Sequence, residues 1–546
     1  MKNNTSKIGY LIVGLLLLNY VGTHFYKRFD LTNDKRYTLS ESSLKIINEV
    51  KEPILIKVYL EGDFPAEFKR LQIETKLHLE ELKSKNKQIR YQFINPTDIE
   101  ESLIEKGIEP SNLQIQEDGK ISELVIFPWA EVIYKDKTEF IPLLKDVFSK
   151  TQEEQLTSSI QSLEYSFSNA IHKITSLKSK KIAVLRGNGQ LSDIYVADFL
   201  RKLGEYYYLA PFTLDSVATN PQKTLNELSN FDLVICAKPT QKFSEEEKYT
   251  LDQYTMRGGK SLWLIDNIQA ELDSLMDTGE TLAYPRELNL TDLFFNYGIR
   301  INSNLVRDLY ATSIPLATGN VGNQTQFNTF LWSYFPLIVS KNNHPINNNI
   351  EAVSLKFTST IDTLTNEISK TILLKSSPLS KPVGTPSIVS LKSITEEQDP
   401  ASFANGNQNV GVLLEGNFKS AYEGRIKPFK IEQNKDKSIS TQLIVIADGD
   451  IIANAISKGV PLPLGIDKWT NQQYGNKDFL LNSVNYLLDD NGLINIRSKT
   501  VKINFLDKEK TYQQAFKWQA INILVPLLIL VVFGVLFTFI KKKKYQ

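Results

Sequence analysis

The chain has 546 residues, of which 42% are hydrophobic, 10% aromatic and 23% charged, with a net charge of +1. That length exceeds what one hydrophobic core serves and fits two or three domains, and the apolar content excludes a disordered chain. The near-zero charge argues against a nucleic-acid binder, whose footprint is a concentrated basic face, and a single cysteine, Cys236, excludes an intrachain disulfide and a cysteine-built zinc site.

At the N-terminus, Ile8 to Tyr26 (IGYLIVGLLLLNYVGTHFY) has no Asp, Glu, Lys or Arg and suffices for about one bilayer crossing. A cleaved signal peptide is the rival, because the densest apolar run, Ile8 to Leu18, has signal-peptide length. Asn19, Tyr20 and His24 then follow, with no A-x-A site, so an anchor is the better reading.

Residues 30–178 read as a small α/β domain. Thr38-Leu39-Ser40-Glu41 opens a helix that Ser40 can cap, with Glu41 near the positive end of its dipole. Ile54 to Leu60 (ILIKVYL) alternates like a strand, a long helix carries Phe68, Leu71, Leu79 and Leu82, and Ile89 to Ile94 (IRYQFI) is the next strand. This β-α-β spacing predicts a thioredoxin-like arrangement without a C-x-x-C to give it redox chemistry. An amphipathic helix with Leu156, Ile160, Leu163, Phe167, Ile171 and Ile174 closes the region.

Residues 181–500 read as a larger, doubly wound α/β domain. Its strands are Lys181 to Leu185, Phe231 to Cys236, Ser261 to Ile265 and Gln442 to Ala447; its helices cover Ser192 to Leu203, Glu245 to Met256 and Phe479 to Leu488. Residues 312–409 are rich in Ser, Thr and Asn and read as an irregular insertion with short strands such as Ile350 to Phe357. After a linker over 501–519, Ala520 to Ile540 is uncharged and long enough to span, with Pro526 tolerated in lipid and Gly534 offering a close-packing point. Lys541, Lys542, Lys543 and Lys544 form a basic tail that places this end in the cytoplasm. Lys2 and Lys7 favour the same side for the N-terminus, whereas Lys27 and Arg28 weigh against it. Two spans force both termini onto one face, which leaves residues 27–519 outside.

Few motifs carry chemistry. Gly258-Gly259-Lys260-Ser261 is not a phosphate loop, because Tyr254 stands where that motif needs glycine and the segment follows a helix and opens a strand. Cys236 lies inside a strand and reads as core. Of the four histidines, His78 falls on an apolar stripe and reads as a satisfied core side chain; no two are at metal-ligand spacing. Two loops stay open between ligand site and tight turn. Gly187-Asn188-Gly189-Gln190 follows the first strand of the larger domain, where open α/β sheets bind ligands. Asp448-Gly449-Asp450 follows the last strand and could hold a hard cation. No cofactor is expected.

KRYTLSESS (Lys35 to Ser43), IKVYLEGDFPAEFKRL (Ile56 to Leu71), the Gly187 loop and IADGDIIAN (Ile446 to Asn454) resemble the GldG family of gliding bacteria, over nearly the whole chain. The resemblance implies a noncatalytic auxiliary subunit of an inner-membrane ABC transporter with a periplasmic body. It further implies a cytoplasmic GldA-like ATPase, a multi-span GldF-like permease and an amidotransferase-like sheet lacking that fold's catalysis. Relatives commonly read G-H-G-E where this chain has Asn188 and Gln190, which removes acid–base or metal chemistry from that loop.

Overall fold

The computed structural model describes residues 10–20, 30, 32, 34–62, 64–117, 120–145, 151–322, 324–340, 342–499 and 508–545. Helix α1 (Tyr10–Tyr20) is apolar but shorter than a crossing; the rest of the expected first span, residues 8–9 and 21–26, lies outside the described residues.

The small domain opens with α2 (Glu41–Glu49), capped as expected by the Ser40 hydroxyl, which accepts from the Ser43 N–H. Strand β1 (Ile54–Val58), helix α3 (Ala66–Lys85) and strand β2 (Ile89–Phe93) follow, and β1 and β2 pair in parallel. Two strands that the sequence pattern did not single out, β3 (Trp129–Tyr134) and β4 (Lys137–Pro142), complete a sheet of order β2-β1-β3-β4. Helix α4 (Gln152–Thr175) packs on it, started by a capping box between Thr151 and Glu154. Ile54, Ile56, Val58, Leu71, Leu79, Phe167 and Ile171 share one core. That core is completed from far along the chain by Leu493, Ile494 and Ile496.

The larger domain is built on a seven-stranded sheet. Strand β5 (Lys181–Arg186) leads to α5 (Asp193–Gly204) and β6 (Tyr208–Thr213), and β7 (Leu233–Ala237) to α6 (Glu245–Met256) and β8 (Lys260–Leu264). The all-apolar β7 is wholly buried because helices cover both faces of the sheet. Its order, β11-β12-β13-β8-β7-β5-β6, takes in β11 (Ser369–Lys375), β12 (Asn409–Gly416) and β13 (Thr441–Ile446), and the last five run parallel. The order reverses between β5 and β7, so the two loops beyond those strands flank the switch point. Helix α7 (Asn476–Leu488) covers one face beside α5.

The stretch 312–409 is not an irregular insertion. It begins with a long hairpin, β9 (Ala311–Val321) and β10 (Gln324–Ile338), and it supplies edge strand β11 to the main sheet. Only Val353–Ser354 forms a strand within the expected Ile350 to Phe357. The hairpin escapes periodicity because register shifts at Ala311/Ser313 and Ala317/Gly319 break the alternation, and because its outer half is exposed on both faces.

Helix α8 (Ala515–Tyr545) has Pro526 inside it and is long and apolar enough to cross a membrane from Ala515 to Lys543, with none of that window buried. Gly534 sits in open space, and Lys541 to Lys544 lie in the last turns.

Candidate functional site

Three parallel strands end in charged residues that meet at the carboxyl edge of the sheet. Lys238 follows β7 directly, Asp266 lies just past β8, and Asp448 lies just past β13. Lys238 is buried with its ammonium 3.2 Å from Asp266 Oδ2, 2.9 Å from Glu271 Oε2 and 2.8 Å from Asp450 Oδ1. Gly449 makes room for it, since a Cβ there would meet Lys238 Cγ at 2.6 Å. Arg286 reaches Glu271 Oε1 at 3.0 Å, while its Nε finds no partner among the described residues. Asp448 is fully buried and accepts from the backbone N–H groups of Asp450 at 2.8 Å and Ile451 at 3.0 Å. The Gly449 N–H donates to Asp266.

Carboxylate oxygens of Asp266, Asp448 and Asp450 lie within 4.8 Å of one another, a spacing that suits a cation. The cation among them is the Lys238 ammonium. A divalent ion would have to displace a buried group held by three carboxylates, so the donor set reads as an internal ion-pair network. Burial, then the adjacent Asp450, raises the Asp266 carboxyl to about 7 against the pull of Lys238, and burial lifts Asp448 well above the carboxylate range. Of this network the sequence reading named Asp448 and Asp450 and missed Lys238, Asp266, Glu271 and Arg286. A charged residue immediately after an all-apolar strand was the available signal for Lys238 and Asp266.

At the switch point, the Gly187 loop is sewn to the loop after β7. The Asn188 carbonyl accepts from the Thr240 and Gln241 N–H groups, both at 3.0 Å, and the Thr240 hydroxyl donates to the Gly189 carbonyl at 2.9 Å. Gly189 is at φ +69, where an added Cβ would overlap Thr240 Oγ1, so both the turn and the close approach require glycine. Asn188 Nδ2 donates to Glu247 Oε2 at 3.0 Å, and the Asn188 N–H donates to Gln190 Oε1 at 2.9 Å. Asn188 Oδ1 and Gln190 Nε2 are buried without partners among the described residues. Cys236 is fully buried, and burial pushes its thiol up to about 12.

The other residues singled out above have structural places. Gly258 turns the chain at φ +96 after α6, and Lys260 opens β8 with its ammonium on the Leu487 carbonyl at 2.5 Å, as a cap on α7. His78 is buried with its ring 5.7 Å from that of Phe167 and tilted by 32°, but it is not a satisfied core histidine, because Nε2 has no partner among the described residues. His172 accepts or donates at Nδ1 with the Ser176 hydroxyl at 2.9 Å and lines a cavity of about 330 Å³ at the opposite edge of the sheet, between the domains, with Tyr165, Lys180, Tyr207 and Asp489.

The chain thus joins a doubly wound sheet, whose ligand edge is filled by its own side chains, to a second α/β domain and to one helix long and apolar enough to cross a membrane. Residues 179–483 match the family described as "ABC-type uncharacterized transport system", and the chain belongs to this family of auxiliary components of ABC-type transport. Residues 33–133 match a domain of unknown function, DUF7088. An uncharacterized protein of Borreliella burgdorferi is 24% identical over 567 residues, covering 100% of both chains. The solved mmIFT52 N-terminal domain aligns over 57% of this chain and 98% of its own, at 13% identity and a TM-score of 0.30, a level that adds nothing to the fold description.

Proposed function

We propose that the chain is a noncatalytic accessory subunit of an inner-membrane ABC complex, presenting a two-domain periplasmic body and serving surface gliding. Membership of the auxiliary family carries the reading. Four lysines in the last turns of α8 support a cytoplasmic C-terminus, and α1 as a second span brings the N-terminus to the same side. The gliding association rests on the GldG-like segments Lys35 to Ser43, Ile56 to Leu71 and Ile446 to Asn454. With it come a GldF-like permease, against which the spans pack, and a GldA-like ATPase. The strand order β2-β1-β3-β4 supports a thioredoxin-like small domain, and the β6-β5-β7-β8-β13 order is the basis for reading the larger one as amidotransferase-like.

A hydrolase on this sheet needs an activated nucleophile at a strand end. Cys236 is core with its thiol raised, and the Gly187 loop is closed by Thr240. An envelope tether is the remaining alternative. Affinity purification of the full chain in mild detergent separates these readings. The accessory-subunit reading expects a nucleotide-hydrolysing subunit and a multi-span permease at fixed stoichiometry. Recovery of cell-wall or motility components with no ATPase overturns it in favour of the tether.

A further inference from the structure

The body begins and ends at one place. Lys499 Nζ donates to the Thr38 carbonyl and to Glu164 Oε2, each at 2.8 Å, the first contact closing 461 residues of chain. Glu164 Oε1 also accepts from the Ser40 N–H at 2.6 Å and from the Ser43 hydroxyl at 2.9 Å. Alongside, the Ser42 hydroxyl donates to the Asn491 carbonyl and Lys45 Nζ to Asn491 Oδ1, both at 2.9 Å. Glu164 is 6% exposed, so this clasp is a buried, multiply bonded carboxylate rather than a screened surface pair. Leu493, Ile494 and Ile496 pack into the same core as Leu39, Ile46 and Ile47, which fixes the exit segment against the entry segment over several residues.

That geometry constrains the two apolar helices. Tyr20 precedes Thr38 by about 18 residues and Ala515 follows Lys499 by about 16, so at ~3.5 Å per residue neither helix lies more than about 60 Å of chain from the clasp. Among the described residues both helices are largely exposed: Leu11, Leu15 and Leu18 are 64%, 60% and 72% exposed, and the α8 window is unburied. In lipid, helices associate through close packing, and an added Cβ at Gly14 of α1 or Gly534 of α8 meets nothing within 4 Å, so both positions are open to a neighbouring backbone. Two antiparallel spans tethered to one point see each other at millimolar effective concentration, so even weak packing joins them.

We propose that α1 and α8 pack against each other as an antiparallel two-helix unit. The proposal rests on the two-span reading given above.

The test uses the full chain in its native membrane with Cys236→Ser as background. Cysteine replaces Leu15, Leu16, Leu17 or Leu18 singly, each combined with Leu530→Cys or Val531→Cys, before mild oxidation. Packing predicts intramolecular disulfides at monomer mass, at least about fivefold stronger at one or two of the four α1 positions than at the others. Adding Lys499→Met loosens the clasp and lowers that yield severalfold. Uniform or absent cross-linking overturns the pairing, and disulfides only between copies assign the packing to a second chain instead. An impermeant maleimide in intact cells separates the two levels. Reaction at Lys35→Cys with protection at Lys2→Cys shows that α1 crosses, so failure to cross-link then defeats the pairing alone. Reaction at both positions defeats the two-span reading and the pairing together.

Discussion

Lys238 in the larger domain and Lys499 in the smaller one each join an ammonium to buried carboxylate, but the balance of donors and acceptors is opposite. Around Lys238 stand Asp266, Glu271 and Asp450, with Asp448 behind them and Arg286 as the only other cation named in the network. Negative charge is in excess, and the Asp266 carboxyl rises to about 7. At the clasp a single carboxylate, Glu164, takes the Lys499 ammonium, a backbone N–H and a hydroxyl. Burial alone would raise that carboxyl, yet Lys499 and the Ser40 N–H outweigh it and hold Glu164 below its usual range. Beside it, burial lowers the imidazole of His78 to about 4. The first site stitches three strand ends across the ligand edge of the sheet. The second keeps its charge and pins the two ends of the body together.

The largest effect expected from breaking this comparison is at Lys238. Lys238→Met leaves Asp266, Asp450 and Glu271 facing one another without their cation, and the larger domain should lose about 3–5 kcal/mol in urea unfolding of the detergent-solubilised protein. An unchanged midpoint would show that the network carries little charge in the folded state. Lys499→Met should cost less, about 2 kcal/mol, because Lys499 is partly exposed and Glu164 keeps its Ser40 and Ser43 donors. The loss should appear as reduced hydrogen-exchange protection in α2 and α4, with the large sheet unaffected.

The comparison sharpens further in pH dependence, where the two domains should slope in opposite directions. Asp266 titrates near 7 when folded and near 3.8 unfolded, so the folded state holds the extra proton between those values and its stability falls as pH rises through that window. His78 titrates near 4 when folded and near 6.5 unfolded, so the unfolded state holds the extra proton and small-domain stability falls as pH drops from 6.5 to 4. Glu164, lowered from 4.5, adds to that acid-side loss. Hydrogen exchange resolved by domain, corrected for intrinsic rates at pH 5 and pH 7, should show the small domain weakening first in acid. Asp266→Asn should flatten the slope of the larger domain, and His78→Phe that of the smaller one. Parallel slopes in both domains would remove the distinction.

Much of the scaffold was legible because it is written in local periodicity. Helix α6 was read to the residue from Glu245 to Met256, and the Ser40 cap from a single hydroxyl placed before an apolar-periodic run. Strands β5, β7, β8 and β13 announced themselves as short apolar runs because a sheet covered on both faces needs no polar side. The β9–β10 hairpin did not, since its bulges and its exposed outer half erase both periods. His78 was half legible: its stripe position gave its burial, but whether Nε2 finds a partner depends on neighbours from other helices.

The sequence by itself therefore determined the apolar strands, the capped helices, the core place of Cys236 and the membrane-length segment that ends in Lys541 to Lys544. Tertiary structure alone decided what the charged residues do. Lys238, Asp266 and Asp450 lie on three different strand ends, and Thr38, Glu164 and Lys499 are brought together across 461 residues of chain. Hydrophobic periodicity repeats every two or four residues and can be read along the chain. The partner of a buried charge is set by which elements the fold places side by side, and no local pattern encodes that.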